Sequence, residues 1–186
     1  MRAAREVFSE RGYDAATFQA IAIRADLTRP AINHYFSNKR ALYREVAKAT
    51  NDVVVAASVQ QARRETTLVG RIAAFIEAAT QADIENRTAA AFLITVALES
   101  QRHPELSHEE ADSVRTTRQF LSWAIDEAIK SGELAADTDA AALTEMLIAV
   151  LLGVGFYAGF VAKHELDTVT SQLHQLLAGS LAQRPK

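Results

Sequence analysis

The sequence predicts an all-α protein, and three observations carry that reading. Ala, Leu, Glu, Gln and Arg dominate it, and most of these lose little freedom in a helix. Apolar residues recur at three and four, and no stretch alternates convincingly over strand length. Gly, Pro, Ser, Thr, Asn and Asp stand where the periodic segments break, which is where helices are capped and stopped. About nine helices result, arranged as a small N-terminal head of three helices on a larger helical body.

A first helix from about Ala3 ends at Gly12, where a residue without Cβ takes a left-handed cap, and Ala4, Val7 and Phe8 form its buried stripe. Thr17 caps a short second helix carrying Phe18, Ile21 and Ala22, which stops near Ala25 and Asp26. Thr28 caps a third, with Pro30 tolerated because the first turn has spare amide donors. Ser37 or Asn38 caps a fourth, which meets no breaker before roughly Glu65 and so links head to body. Further helices are expected near Leu68–Ala82, Asn86–Arg102, Ser107–Ser131, Asp139–Ala162 and Leu166–Ala182. His103 and Pro104 interrupt the chain, Ser107 with Glu110 has capping-box spacing, and Ser131-Gly132 ends the helix that follows. Asp137 or Thr138 caps the next one.

Composition narrows the function. Cysteine is absent, which excludes a disulfide framework, a thiolate zinc site and a cysteine nucleophile, and suits a reducing cytoplasm. The most apolar stretch, Met146–Ala162, reads as too short and too glycine-rich to span a membrane, and no signal-peptide pattern opens the chain. A cytoplasmic protein with no membrane partner is expected. The net charge of −3 hides a split: residues 1–50 carry nine basic side chains against five acidic ones, a net +4, so the remainder holds −7. A basic head that meets a polyanion and an acidic body that stays off it suit this split.

Two short helices joined by about three residues, packed on an earlier helix through Phe8, Ile21 and Leu27, make a helix-turn-helix over about residues 17–36. Its second helix, Thr28 to Tyr35, is expected in the major groove of DNA. A helix there must expose small and polar side chains toward its N-terminal end, because that end reaches base edges. Thr28, Arg29, Ala31 and Asn33 suit the exposed role, and Ile32 and Phe36 the anchoring one.

The ordered series Phe8, Gly12-Tyr13, Thr17, Ile21-Ala22, Leu27-Thr28, Tyr35-Phe36, Lys39 and Leu42-Tyr43 resembles the DNA-binding domain of the tetracycline-repressor (TetR) family, over about residues 1–48. The resemblance implies phosphate contacts at Thr17, Tyr35 and Lys39 and a base-reading surface from Thr28 to Asn33. The DNA-binding candidates are therefore Thr17, Thr28, Arg29, Pro30, Ala31, Asn33, His34, Tyr35 and Lys39. Asp26 stands where the family commonly has a turn glycine, adding a negative charge near DNA. Asn33 replaces a frequent aromatic and suits a bidentate contact to adenine. The first helix also begins late, without the family's preceding basic arm.

Residues 49–186 are expected to form a ligand-binding and dimerisation domain. Phe75, Phe92, Phe120, Trp123, Phe156 and Tyr157 are the candidate pocket lining, since such pockets are mostly apolar. The C-terminal helices carry more apolar surface than a body this size readily buries, so Leu147, Val150, Leu151, Val154, Leu173, Leu176 and Leu177 are candidate dimer contacts. Gly153, Gly155 and Gly159 would let another backbone come close. The resemblance implies a ligand-responsive regulator, a repressor that grips a palindromic double-stranded operator as a homodimer and is released by a small hydrophobic or amphipathic effector.

No cofactor, metal or catalytic role is expected. Histidines at 34, 103, 108, 164 and 174 form no zinc-binding pair on one helix face, and neither a nucleophile elbow nor a Gly-rich phosphate loop is present. Glu99 and His103 share a helix face, which alone argues little for metal. A helical adaptor whose head binds protein is the other class considered, and salt dependence separates it from a DNA binder.

Overall fold

Side chains that take over free amide donors set where several of the helices begin. In the computed structural model, which describes residues 1–80, 84–106 and 112–181, these starts divide the chain into α1 (Arg2–Ala15), α2 (Phe18–Arg24), α3 (Arg29–Tyr35), α4 (Lys39–Asn51), α5 (Ala57–Ala62), α6 (Leu68–Thr80), α7 (Ile84–Arg102), α8 (Ser113–Lys130), α9 (Ala140–Phe160) and α10 (Lys163–Leu181). No strand occurs among the described residues. The hydroxyls of Thr17 and Thr28 accept from the amides of Ala20 and Ala31 at 3.1 and 3.3 Å. Of the two candidates for α4, Asn38 is the cap, accepting from Ala41 at 2.9 Å. α9 is capped by Asp139 rather than Asp137 or Thr138. The Ser107–Glu110 capping box lies outside the described residues; α8 starts under Asp112, whose carboxylate accepts from Arg115 at 2.9 Å.

Two departures from the expected helices have visible causes. Gly12 takes φ +72° and breaks α1 as its lack of Cβ allows, yet the helix resumes through Ala15. The Tyr13 amide freed by the break donates to the buried carboxylate of Glu99, on α7, at 3.3 Å. The long fourth helix is present, but a π-helical stretch over Asp52–Ala56 joins α4 to α5, and the rod ends at Ala62. Counting this rod once gives nine helical bodies among the described residues. The hydroxyls of Thr50 and Ser58 donate back to the carbonyls of Val46 and Val54 at 2.7 and 2.6 Å, one on each side of the π stretch. Such back-bonding bends helices.

Two cores form. The body core gathers residues of the rod and α6 to α10, around Leu68, Phe120, Leu121 and Ile125. The head core holds Phe8, Ile21, Ile32, Tyr43 and Val46, and it recruits Phe92 and Leu106 from beyond residue 48. Phe92 is fully buried, with its ring centroid 6.4 Å from Phe8 and 5.7 Å from Tyr43. Leu27, expected among the packing residues of the head, is instead 54% exposed, because the turn before α3 carries it outward.

α7 and α9 come closest where the backbone of Gly159 meets the backbone of Ala91. A methyl added at Gly159 would stand 2.6 Å from the Ala91 nitrogen, and one at Gly155 would stand 3.2 Å from Ile94 Cδ1. The close neighbour of these glycines is therefore α7 of the same chain. Gly153 alone of the three faces open space. At 21 residues and mean hydropathy 1.9, α9 is long and apolar enough to cross a bilayer by length and composition. Here one face packs on α7, α8 and α10.

Candidate nucleic-acid interface and effector cavity

The head presents one polar surface. α3 buries Ile32 and leaves Thr28, Arg29, Pro30, Asn33, His34 and Tyr35 exposed, with Ala31 half-buried. Tyr35 is 76% exposed, with its ring against His34 at 5.2 Å. Thr17 is exposed at the start of α2. Asp26, the one non-glycine residue with positive φ among those described, turns the chain between α2 and α3. Across the back, Arg24 of α2 bonds Glu6 at 3.1 Å and Glu10 at 2.8 Å on α1. The Arg24 guanidinium holds the Glu10 carboxyl below its usual range.

Lys39 has a role that its spacing did not reveal. Its ammonium donates to the carbonyls of Tyr13 and Asp14 at 2.7 and 3.0 Å and lies 4.4 Å above the Tyr13 ring. It therefore closes the end of α1, where carbonyls lack helical partners. An ammonium has three donors, so one remains for a phosphate. Beside it, His103 Nε2 lies 3.3 Å from Asp14 Oδ2 and 3.8 Å from Glu99 Oε2, and its Nδ1 lies 3.3 Å from Glu105 Oε1. Tyr13, Asp14, Lys39, Glu99 and His103 thus clasp the head to the end of α7.

The body contains a cavity of about 80 Å³, or about 640 Å³ counting its open mouth. Its walls are Val54 and Val55 of the π stretch, Thr80 at the end of α6, Leu93 and Ile94 of α7, Thr117 of α8, and Ile148, Leu151 and Gly155 of α9, among others. Among the described residues, no charged side chain lines it. None of the six predicted aromatics does either. Phe92 serves the head core, while Phe75 and Phe120 stack at 5.5 Å in the body core. Trp123 lies under the guanidinium groups of Arg63 and Arg71 at 4.8 and 4.6 Å. Tyr157 packs on the body core, and Phe156 is exposed. Large rings fill space; the void is left where small and branched residues meet. Helical periodicity marks both as buried and cannot separate wall from core.

The predicted dimer residues divide in the same way. Leu147, Leu151, Val154 and Leu177 are buried in their own subunit, and Val150 and Leu173 are half-buried; only Leu176 is exposed. The outward face of α9 is instead Met146, Ala149, Gly153, Phe156 and Phe160, all exposed. Their alternating three- and four-residue spacing is that of a coiled-coil seam, and periodicity by itself does not tell which face of α9 stays outside.

Comparison with known proteins fits this geometry. Residues 1–46 match the profile described as bacterial regulatory proteins, tetR family. Residues 68–182 match the profile described as BetI-type transcriptional repressor, C-terminal. The regulator UidR of Escherichia coli (strain K12) is 22% identical over 154 residues, covering 83% of this chain and 76% of that protein. The activator FasR of Mycolicibacterium smegmatis is 45% identical over 65 residues, covering 35% of this chain and 29% of that protein. A transcriptional regulator from Saccharomonospora viridis, solved in complex with choline, shares the fold with TM-score 0.78 at 19% identity, covering 96% of this chain and 95% of that one.

Proposed function

The chain belongs to the TetR family of DNA-binding transcriptional regulators, and from that premise we propose that it is a cytoplasmic, effector-released repressor that grips a palindromic operator as a homodimer. The observation that carries the DNA-binding half is α3, which buries Ile32 and exposes Thr28, Arg29, Asn33, His34 and Tyr35. Arg29, Ala31 and Asn33 stand on the helix that reads bases, with Asn33 suited to adenine. Thr17, Tyr35 and the spare Lys39 donor position the head on phosphates. Repression is favoured by the description of the C-terminal match.

The dimer reading rests on the seam of Met146, Ala149, Gly153, Phe156 and Phe160, with Leu176 beside it on α10. A two-fold pairing through α9 and α10 brings two recognition helices to about 34–36 Å or a multiple of it, the spacing of successive major grooves. Phe156→Asp is expected to give monomers in light scattering and to lose operator affinity.

The effector reading rests on the cavity, which no charged side chain among the described residues lines. Two routes join it to the head: the rod, through Val54 and Val55, and α7, which carries Leu93 and Ile94 in the cavity and Phe92, Glu99 and His103 at the head. A coupling of about 1–3 kcal/mol changes operator affinity about 5–150-fold. Selection from a randomised double-stranded DNA library tests the whole reading. An enriched palindrome that Tyr35→Ala weakens supports it; no enrichment at low salt refutes it.

A further inference from the structure

Beside the cavity lies a second void, a groove of about 370 Å³ between the rod and α6. Val53, Ser58 and Gln61 line it on the rod side, and Ala74, Glu77 and Ala78 on the α6 side. Val54 and Ala79 line both voids, so the partition between them is one valine and one alanine side chain where the rod meets α6. The two spaces differ in chemistry. Among the described residues the cavity has no charged wall, whereas the groove has one charged residue, Glu77, with no described cation paired to it. The Ser58 hydroxyl already donates to the Val54 carbonyl, so it offers the groove a hydrogen-bond acceptor.

We propose that cavity and groove are the two ends of one effector site, gated by Val54 and Ala79, which takes an amphipathic molecule with an apolar tail in the cavity and a cationic head beside Glu77. This rests on the effector-responsive reading above and gives that site its ligand class. An anionic head is disfavoured, because Glu77 repels it. Val54 sits in the π stretch that joins α5 to α4, so seating a tail past it presses on the element that leads to the head.

Isothermal titration of the full chain with n-octylammonium, n-octanol and n-octanoate tests this, since the three probes share a tail and differ in head charge. At low salt the ammonium is expected to bind about threefold tighter than the alcohol and about tenfold tighter than the carboxylate, the size of exposed charge pairs. Raising the salt should shrink the preference. Glu77→Gln, an exposed substitution, should abolish it, and Val54→Ala should tighten all three probes alike by opening the gate. Equal or better binding of the carboxylate, a preference that survives Glu77→Gln, or Val54→Ala affinities equal to the parent's would each overturn the proposal. No binding by any probe would overturn it too. Operator binding by the same preparations reports on the regulator reading separately, so the two failures are distinguishable.

Discussion

Gly159→Ala is the substitution for which the structure makes the sharpest demand. The added methyl would stand 2.6 Å from the nitrogen and 2.7 Å from the Cα of Ala91, and backbone cannot swing aside as a side chain can. Reaching ordinary contact at 3.4 Å requires α7 and α9 to separate by roughly 0.8 Å, in an interior packed like a crystal. Overpacking of this kind costs about 1–3 kcal/mol, from which about 1 kcal/mol returns as the better helix propensity of alanine. The balance runs from no net loss to a loss of roughly 2 kcal/mol, and each kcal/mol lost lowers Tm by about 2–4 °C for a chain of this size. Urea and thermal unfolding measure it, with Gly153→Ala as the control, where a methyl meets nothing within 4 Å in the subunit. Because α7 also carries Phe92 into the head core, weakened operator binding should accompany the loss. A Gly159→Ala protein more stable than the parent by about 1 kcal/mol, the full propensity gain, would refute the claim that these two helices are held at contact by the glycine.

Asp26→Asn should raise affinity for DNA about two- to fivefold at low salt, since asparagine keeps the left-handed turn at φ +53° and removes a charge that repels phosphate; unchanged affinity in a salt titration would show that the turn stays away from the backbone of DNA. Tyr43→Phe should leave stability unchanged or raise it by about 1 kcal/mol in urea unfolding, because the buried Tyr43 hydroxyl has no hydrogen-bond partner among the described residues. Burial likewise pushes the Tyr43 hydroxyl well above its ordinary value, so no alkaline transition below about pH 10 should trace to it. Acid unfolding should show the exposed pairs: Arg24 and Arg118 hold Glu10 and Glu145 below the ordinary carboxylate value of 4.5. A depressed folded value stabilises above that pH and loses its contribution as pH falls through the lowered value. Arg24→Met should therefore remove a small part of the stability lost on acidification, and an unaltered acid profile would show the pair to be worth nothing.

Local chemistry made much of the head legible. Thr17, Thr28 and Asn38 each carry a side-chain acceptor at a point where helical periodicity begins, and each caps the helix it was expected to cap. Gly12 was readable as a break for the same local reason, a φ of +72°. What its surroundings do was not readable, because Glu99 reaches it from 86 residues along the chain. Lys39 behaves alike: the residue is in its expected place, but its carbonyl partners come from the end of α1.

The body shows the limit more clearly. Apolar residues at three and four fixed that α9 is a helix with buried positions, and that reading needs no knowledge of neighbours. Which of its faces meets α7 and which meets solvent depends on the direction from which α7 arrives, so Leu147 and Val154 went inward while Met146 and Phe156 stayed out. The cavity is likewise a property of how five elements fail to close, and of the aromatics that looked suited to line it, all but the exposed Phe156 pack in or against the two cores instead. The sequence by itself therefore determined helix identity, caps and the basic head, since these rest on interactions within a few residues. Only the tertiary structure decided the clasp, the cavity and the free seam, since each is made where distant segments meet and none leaves a local trace.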